Sequence, residues 1–395
     1  MKTIKELLQE LGYSALWTVL LTLLFLLFNM SENSLSDMLI ALPYFVVLYF
    51  IFFLIGKDVV LVRMAKWIGL DFVKTMVFPL LMVLLYGSYL LLNKQNNFFG
   101  ALPVVLYLII APALMFVARK VMYNNSKINW IDFTAFVLFL LPTTFIGGSY
   151  QGNLPFNGNG FDSVYRIAFM LIAVYSFNIL WRLENVGFFA VLNWNYILTA
   201  LWVWLVFYLF VMIVGYSVDF IKITGYEIAG YALLRKIALT LVITFLHTAI
   251  FEELFFRGIL QNMLTKRIAQ TKSWNIFWQW GLALLLPLAV CVGYTLKGGM
   301  QWFPALMTLI IFGAAFTIER STKNESGVYT ALAITSVIFG LVHYHSGAIV
   351  YIGFACVAGW AYGFTYIKTK NVFYSALVHT LVNCSTLIFG LEFIK

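Results

Sequence analysis

Charge is scarce in this sequence. Lys, Arg, Asp and Glu make up 10% of its 395 residues, where a water-soluble domain carries about 25%, so the chain is neither a cytosolic enzyme nor a disordered segment. Cysteine is almost as rare. Cys291, Cys356 and Cys384 lie in apolar runs without CxxC spacing, which excludes a disulfide framework and a thiolate metal site and leaves them as packing residues. Histidine occurs only at His247, His343, His345 and His379, all in the C-terminal half. No small-x-small site follows the first apolar run before Ser31 and Glu32, so that run is not read as a cleavable signal.

What the chain has instead is apolar surface. Hydrophobic residues make up 63% and the mean hydropathy is +0.92. Apolar runs of membrane-spanning length recur from residue 14 to residue 391 and number about 13. The expected fold is all-α, a polytopic membrane helical bundle with about 13 transmembrane helices, set in the cell membrane. The lipid bilayer is its solvent. The net charge of +9 comes from basic residues that flank the runs, so nucleic acid is not an expected partner. With the N-terminus in the cytoplasm, alternation of sides places most Lys and Arg inside, which supports that orientation. The Gly- and Asn-rich stretch 147–160 has no apolar periodicity and reads as an external loop.

An ionisable side chain at membrane depth costs roughly 2.5 to 3.5 kcal/mol, so such residues mark function first. Glu252 and Glu253 sit inside an otherwise apolar run from 237 to 264. On a helix Glu253 and Arg257 are four apart and share a face, whereas Glu252 is turned by about 100° and lacks that partner. A carboxylate left so is suited to move protons; a buried ion-pair cluster joining helices is the competing reading. His343 closes a five-residue stretch that begins at Phe339, and His379 shares a helical face with Asn383. His345 lies about 200° around an α-helix from His343 and is expected to face elsewhere. His247, five residues before Glu252, is a candidate supporting hydrogen-bond partner. A transporter would show broken helices in both halves, and the first seven runs hold no counterpart of the Glu pair.

Upright helices set His343 and His379 at different depths. At about 1.5 Å per residue, a span that starts near residue 327 carries His343 most of the way across the bilayer, while His379 follows closely on Lys370 at the membrane edge.

Glu252, Glu253 and Arg257 form EExxxR, Phe339 and His343 form FxxxH, and His379 and Asn383 form HxxxN, in that order. The set resembles the CAAX-protease and bacteriocin-processing family (CPBP, or Abi) of intramembrane proteases. The resemblance implies an intramembrane endopeptidase that cuts a membrane-associated peptide or protein. Glu252 and His343 would activate water, His379 and Asn383 would stabilise the oxyanion, and Glu253, Arg257 and Phe339 would brace the site. No cofactor is expected. Glu252, His343 and His379 are also residue types that ligate zinc, but the HExxH pattern of soluble zinc proteases is absent, and the metal-free glutamate mechanism is favoured. The alternative is a catalytically silent membrane scaffold, or a bacteriocin self-immunity factor, that binds a partner membrane protein. The resemblance falls on a C-terminal domain, 231–395, with an inserted hairpin near 276–318; residues 1–230 form an N-terminal transmembrane bundle of unassigned role.

Overall fold

The structure, a computed structural model, describes residues 4–94, 98–122, 127–146, 152–156, 161–226, 228–296, 299–322 and 326–394. Among them are fourteen helices: α1 (Ile4–Asn29), α2 (Leu35–Ile55), α3 (Asp58–Ile68), α4 (Phe72–Leu92), α5 (Phe98–Met122), α6 (Trp130–Ile146), α7 (Val164–Leu180), α8 (Trp194–Ser217), α9 (Gly230–Thr271), α10 (Trp274–Thr295), α11 (Phe303–Thr322), α12 (Val328–Ser346), α13 (Ile349–Thr369) and α14 (Val372–Phe389). Eleven are long and apolar enough to cross a membrane, and α6 and α7 are shorter apolar helices. The remaining helix, α3, is short and carries Asp58, Arg63 and Lys66. Large apolar side chains such as Leu23, Leu84, Trp202 and Leu284 stay exposed, as a lipid-facing surface requires. The chain is an all-α, multi-pass membrane protein. Most of the stretch read as an external loop, 147–151 and 157–160, lies outside the described residues.

The chain divides into two compact units. The first comprises Met1–Ser126, Trp130–Leu192 and Leu246–Phe251. Its centre is α7, whose residues from Val164 to Val174 are nearly all buried, so this helix is apolar on every side. Just before α7, β2 (Asp162–Ser163) pairs antiparallel with β1 (Asn153–Leu154).

The second unit comprises Lys127–Asn129, Asn193–Phe245 and Glu252–Lys395. At its centre stands α13, largely buried along its length, flanked by α8, α11, α12 and α14. Small residues permit this crowding, because apolar helices in lipid associate through close backbone approach rather than through a hydrophobic drive. Gly340 of α12 faces Cys356 of α13, and Gly359 of α13 faces the backbone of Ser336. The α10–α11 hairpin is tied to this core. Trp278 Nε1 donates to the Phe312 carbonyl at 2.8 Å, and the buried Glu319 accepts from the backbone N–H of Tyr329 and Thr330 at 2.6 and 3.1 Å. The first turn of α12 thereby receives a carboxylate on its otherwise unpaired amides, as a capping residue would supply.

A methyl group at Gly340 would stand 2.1 Å from Cys356 Sγ and 2.6 Å from its backbone nitrogen. Gly340→Ala is therefore expected to push α12 from α13 and cost about 1–3 kcal/mol. Thermal unfolding in detergent micelles measures this, and an unchanged midpoint would contradict the close approach.

Candidate active site

The Glu pair stands on a single α-helical turn, Ile250–Glu253, between two π-helical stretches of α9, Thr244–Ala249 and Leu254–Gln261. A π turn admits one extra residue, which re-aims the side chains around it, and such turns gather at functional sites. Glu252, Glu253, Arg257, Phe339, His343, His379 and Asn383 all belong to the second unit.

Glu253 is wholly buried and fully engaged. One oxygen, Oε2, accepts from Arg257 Nε at 3.1 Å and from Ser375 Oγ at 2.6 Å. The other, Oε1, lies 3.0 Å from His379 Nδ1. An ionised carboxylate only accepts hydrogen bonds, so Nδ1 of His379 donates to it and Nε2 is turned the other way. Arg257 is equally buried. Its guanidinium carbon lies 5.1 Å from the Phe339 ring centre and 5.9 Å from that of Phe256, and its terminal nitrogens have no hydrogen-bond partner among the described residues. The aromatic faces supply the electrostatic contact that a desolvated cation requires.

Glu252, one residue earlier, is in the opposite condition. Its Oε2 is buried without a hydrogen-bond partner among the described residues, and it lies 4.0 Å from His343 Nε2 and 4.0 Å from His379 Nε2. That separation is too long for a direct hydrogen bond and suits one bridging water. His343 is held by its Nδ1–H, which donates to the Phe339 carbonyl at 2.7 Å, so its Nε2 is turned toward Glu252. Phe339 itself packs against both imidazoles, 4.7 Å from His343 and edge-on at 5.7 Å from His379. The i, i+4 spacing of FxxxH thus serves both the side chain and the carbonyl of Phe339.

His343, His379 and Asn383 open onto a cavity of about 160 Å³ whose other walls are mainly aromatic, among them Phe207, Phe220, Tyr351 and Phe354. Glu252 is not part of those walls. The two histidines are brought together, where upright helices would have held them apart. His343 lies at the end of the regular helical part of α12 and His379 in the second turn of α14, and both Nε2 atoms lie 4.0 Å from the same Glu252 oxygen. His345 departs from its expected place as well. After Val342 the chain tightens into a 3₁₀ turn, His343–Ser346, and the two imidazoles stack at 5.8 Å.

Two residues of this constellation were not expected. Ser375 precedes His379 by four residues and Asn383 by eight, so a single helical stripe carries all three, and that spacing was a usable signal. Tyr362 stacks on His379 at 4.5 Å and 10°, but it comes from α13 and nothing local announces it. His247, in the first unit, places Nδ1 3.1 Å from Asp162 Oδ1. Burial pushes the Asp162 carboxyl up, and the hydrogen bond to His247 and the charge of Arg166 oppose that rise.

Residues 234–324 and 317–385 match the family model described as type II CAAX prenyl endopeptidase Rce1-like. This region is an Rce1-like domain. All three motifs lie inside it, and the family is the one that their order resembles. The matched region, less than half of the chain, is similar to CAAX-type intramembrane proteases. No curated protein and no solved structure matches the chain.

Zinc is the metal that such residues could hold. Tetrahedral zinc, with bonds of about 2.0 Å, keeps its donors about 3.3 Å apart. Glu252 Oε2 stands 4.0 Å from each imidazole nitrogen, and no group of three or more His, Cys, Asp or Glu side chains among the described residues has metal-binding geometry. The donors as they stand are too widely spaced.

Arg257→Met would leave the Glu253 carboxylate in the core without its cation. The expected cost is about 3–5 kcal/mol, and adding Glu253→Gln to it should recover most of the loss. Thermal unfolding of the single and double variants measures the coupling; additive losses would mean that the pair is not a unit.

Proposed function

We propose that the Rce1-like domain hydrolyses a peptide bond of a membrane-associated peptide or protein with a water activated by Glu252 and His343. What supports the reading is the convergence of two imidazole Nε2 atoms, each at 4.0 Å, on one buried and unpartnered oxygen of Glu252. A water held there by Glu252 and His343 loses a proton to the carboxylate as its oxygen attacks the scissile carbonyl. The carbon–oxygen bond forms, negative charge moves to the former carbonyl oxygen, and Nε2–H of His379 and the Asn383 amide stabilise it. Glu252 then returns the proton to the amide nitrogen as the carbon–nitrogen bond breaks.

The neighbouring groups make this charge pattern affordable. Glu253 balances an imidazolium at His379 through the 3.0 Å bond to Nδ1, and Arg257 balances Glu253. Catalysis belongs to residues 231–395 in this reading, residues 1–230 serve docking, and the chain lies in the cell membrane with its N-terminus in the cytoplasm. No metal takes part.

The decisive experiment compares, by mass spectrometry, the membrane-associated peptides of cells that express the chain with those of cells expressing Glu252→Gln at equal abundance. At least one peptide should be cut only by the unsubstituted chain. With that peptide as substrate, Glu252→Gln should lower the rate by about 10² to 10⁴ at an unchanged unfolding midpoint, and a zinc chelator should leave the rate unchanged. Indistinguishable peptide profiles would overturn the protease reading in favour of a silent scaffold, and chelator loss reversed by zinc would overturn the metal-free mechanism.

A further inference from the structure

Three helices of the second unit, α8, α11 and α13, bound a groove of about 460 Å³. Its walls hold neither a charged side chain nor a hydroxyl among the described residues. The floor is buried, at Phe207, Met307 and Ala361, and the rim is exposed, at Trp202 and Ile310. All three helices are long and apolar enough to cross a membrane, so the groove opens outward into hydrocarbon. Its shape suits a linear occupant. Helices in lipid meet through small residues that let two backbones close in, whereas Trp202, Trp360 and Phe364 stand around this groove and hold a second helix off. At the roughly 30 Å³ that a water molecule takes up in the liquid, the volume has room for about fifteen groups of methylene size, which is one acyl chain.

One end of the groove carries charge. α8 and α13 run in opposite senses: Phe220, just past the end of α8, lies 5.6 Å from Phe354 near the start of α13, and the N–H of Asn193, just before α8, donates at 2.9 Å to Tyr374 Oη beyond the end of α13. Trp202 and Phe364 therefore share one end. Val357, Phe364 and Lys368 follow one stripe of α13, and Lys368 Nζ lies 5.3 Å from the Phe364 ring centre. Lys368 is exposed and has no ion-pair partner among the described residues. A lysine that lays its stem along apolar surface in this way carries its ammonium to the headgroup level. From Val357 to Lys368 the helix rises about 16 Å, close to the roughly 15 Å of hydrocarbon in one leaflet.

We propose that the groove binds one acyl chain of an anionic phospholipid whose phosphate pairs with Lys368. The chain matches the apolar walls and the length of a leaflet, and the phosphate matches the one cation on the stripe, as basic residues at the ends of intramembrane grooves match anionic headgroups elsewhere. The site bears on the cavity that holds His343, His379 and Asn383, because Phe207 is a wall of both. A chain in the groove backs that wall from the lipid side. The inference stands on α8, α11 and α13 alone and holds whether or not the domain cuts peptides.

The test uses the full chain in phosphatidylcholine nanodiscs that contain a trace of phosphatidylglycerol with a diazirine midway along one acyl chain. A second set carries the same chain on diacylglycerol, which has no phosphate. After irradiation, mass spectrometry of the digested protein locates the adducts. Labelling by phosphatidylglycerol should concentrate on the groove segments of α8, α11 and α13 over the exposed segment of α10 around Leu284. Lys368→Gln and the diacylglycerol probe should each lower the groove labelling about fivefold. Ala314→Trp, which sets an indole into the groove from α11, should lower it by about as much or more and leave α10 unchanged. Its unfolding midpoint is measured alongside, and the exposed Lys368 carries the test if that variant fails to fold. Equal labelling of the groove and α10, or groove labelling that neither Lys368→Gln nor loss of the phosphate moves, overturns the proposal. Groove labelling below that of α10 means that another helix covers the groove and overturns it as well.

Discussion

Glu253 is a carboxylate with no solvent in a bundle built from apolar side chains, and each contact that compensates its burial fixes another part of the site. Arg257 holds it through the same helix, Ser375 through α14, and His379 through Nδ1. The cost of leaving a buried charge unpaired runs to several kcal/mol, so these side chains have little freedom to reorient. His379 inherits that rigidity, since the bond to Glu253 fixes both the proton on Nδ1 and the direction of Nε2. Tyr362, stacked on the ring at 4.5 Å, blocks rotation from the flat side. Rigid placement of this kind is what electrostatic stabilisation of a developing oxyanion needs, because the donors then require no rearrangement during reaction.

Two adjacent glutamates would ordinarily be treated as equivalent, yet here they divide into opposite states. Glu253 has both oxygens occupied and no exposure, whereas Glu252 keeps one buried oxygen unoccupied and retains partial exposure. The difference arises from helix geometry, since neighbouring residues point about 100° apart and only one of them can meet Arg257. The π-helical stretches on either side place the extra residues next to the pair without disturbing the one α-helical turn that carries both carboxylates. The separation of a fully engaged carboxylate from a partly unoccupied one therefore depends on backbone shape as much as on residue type.

Much of this was legible in the sequence. The apolar runs correspond to the eleven long helices and the two shorter apolar ones, because a hydrocarbon core leaves little choice but a helix of sufficient length. Glu253 with Arg257 and His379 with Asn383 were legible as i, i+4 neighbours for the same reason. Ser375 was written in the same stripe and passed over, since serine in a membrane helix most often bonds its own backbone. The turn that brings His345 beside His343 was not legible, because a 3₁₀ turn leaves no mark in a helical wheel. Nor was the meeting of Phe339 on α12 with His379 on α14, since the two lie far apart in sequence. Tyr362 and Glu319 are long-range partners, and a single sequence holds no signal for them.

Glu319 changes the meaning of the α10–α11 hairpin. The hairpin between the EExxxR and FxxxH motifs lengthens the chain between Glu252 and His343 and, if it were only a spacer, would loosen their relation. Instead its carboxylate closes on the first amides of α12, at the far end of the helix that presents Phe339 and His343. Trp278 and Phe312 join the two helices of the hairpin to each other, so the cap is held by a packed pair rather than by a free loop. A helix capped at one end and pinned by Gly340 near the other has few ways to slide along its axis. An axial shift by one residue would move His343 by about 1.5 Å, which is a large part of its 4.0 Å distance from Glu252. The hairpin thus acts on the site through the register of α12, without contributing a side chain to the cavity.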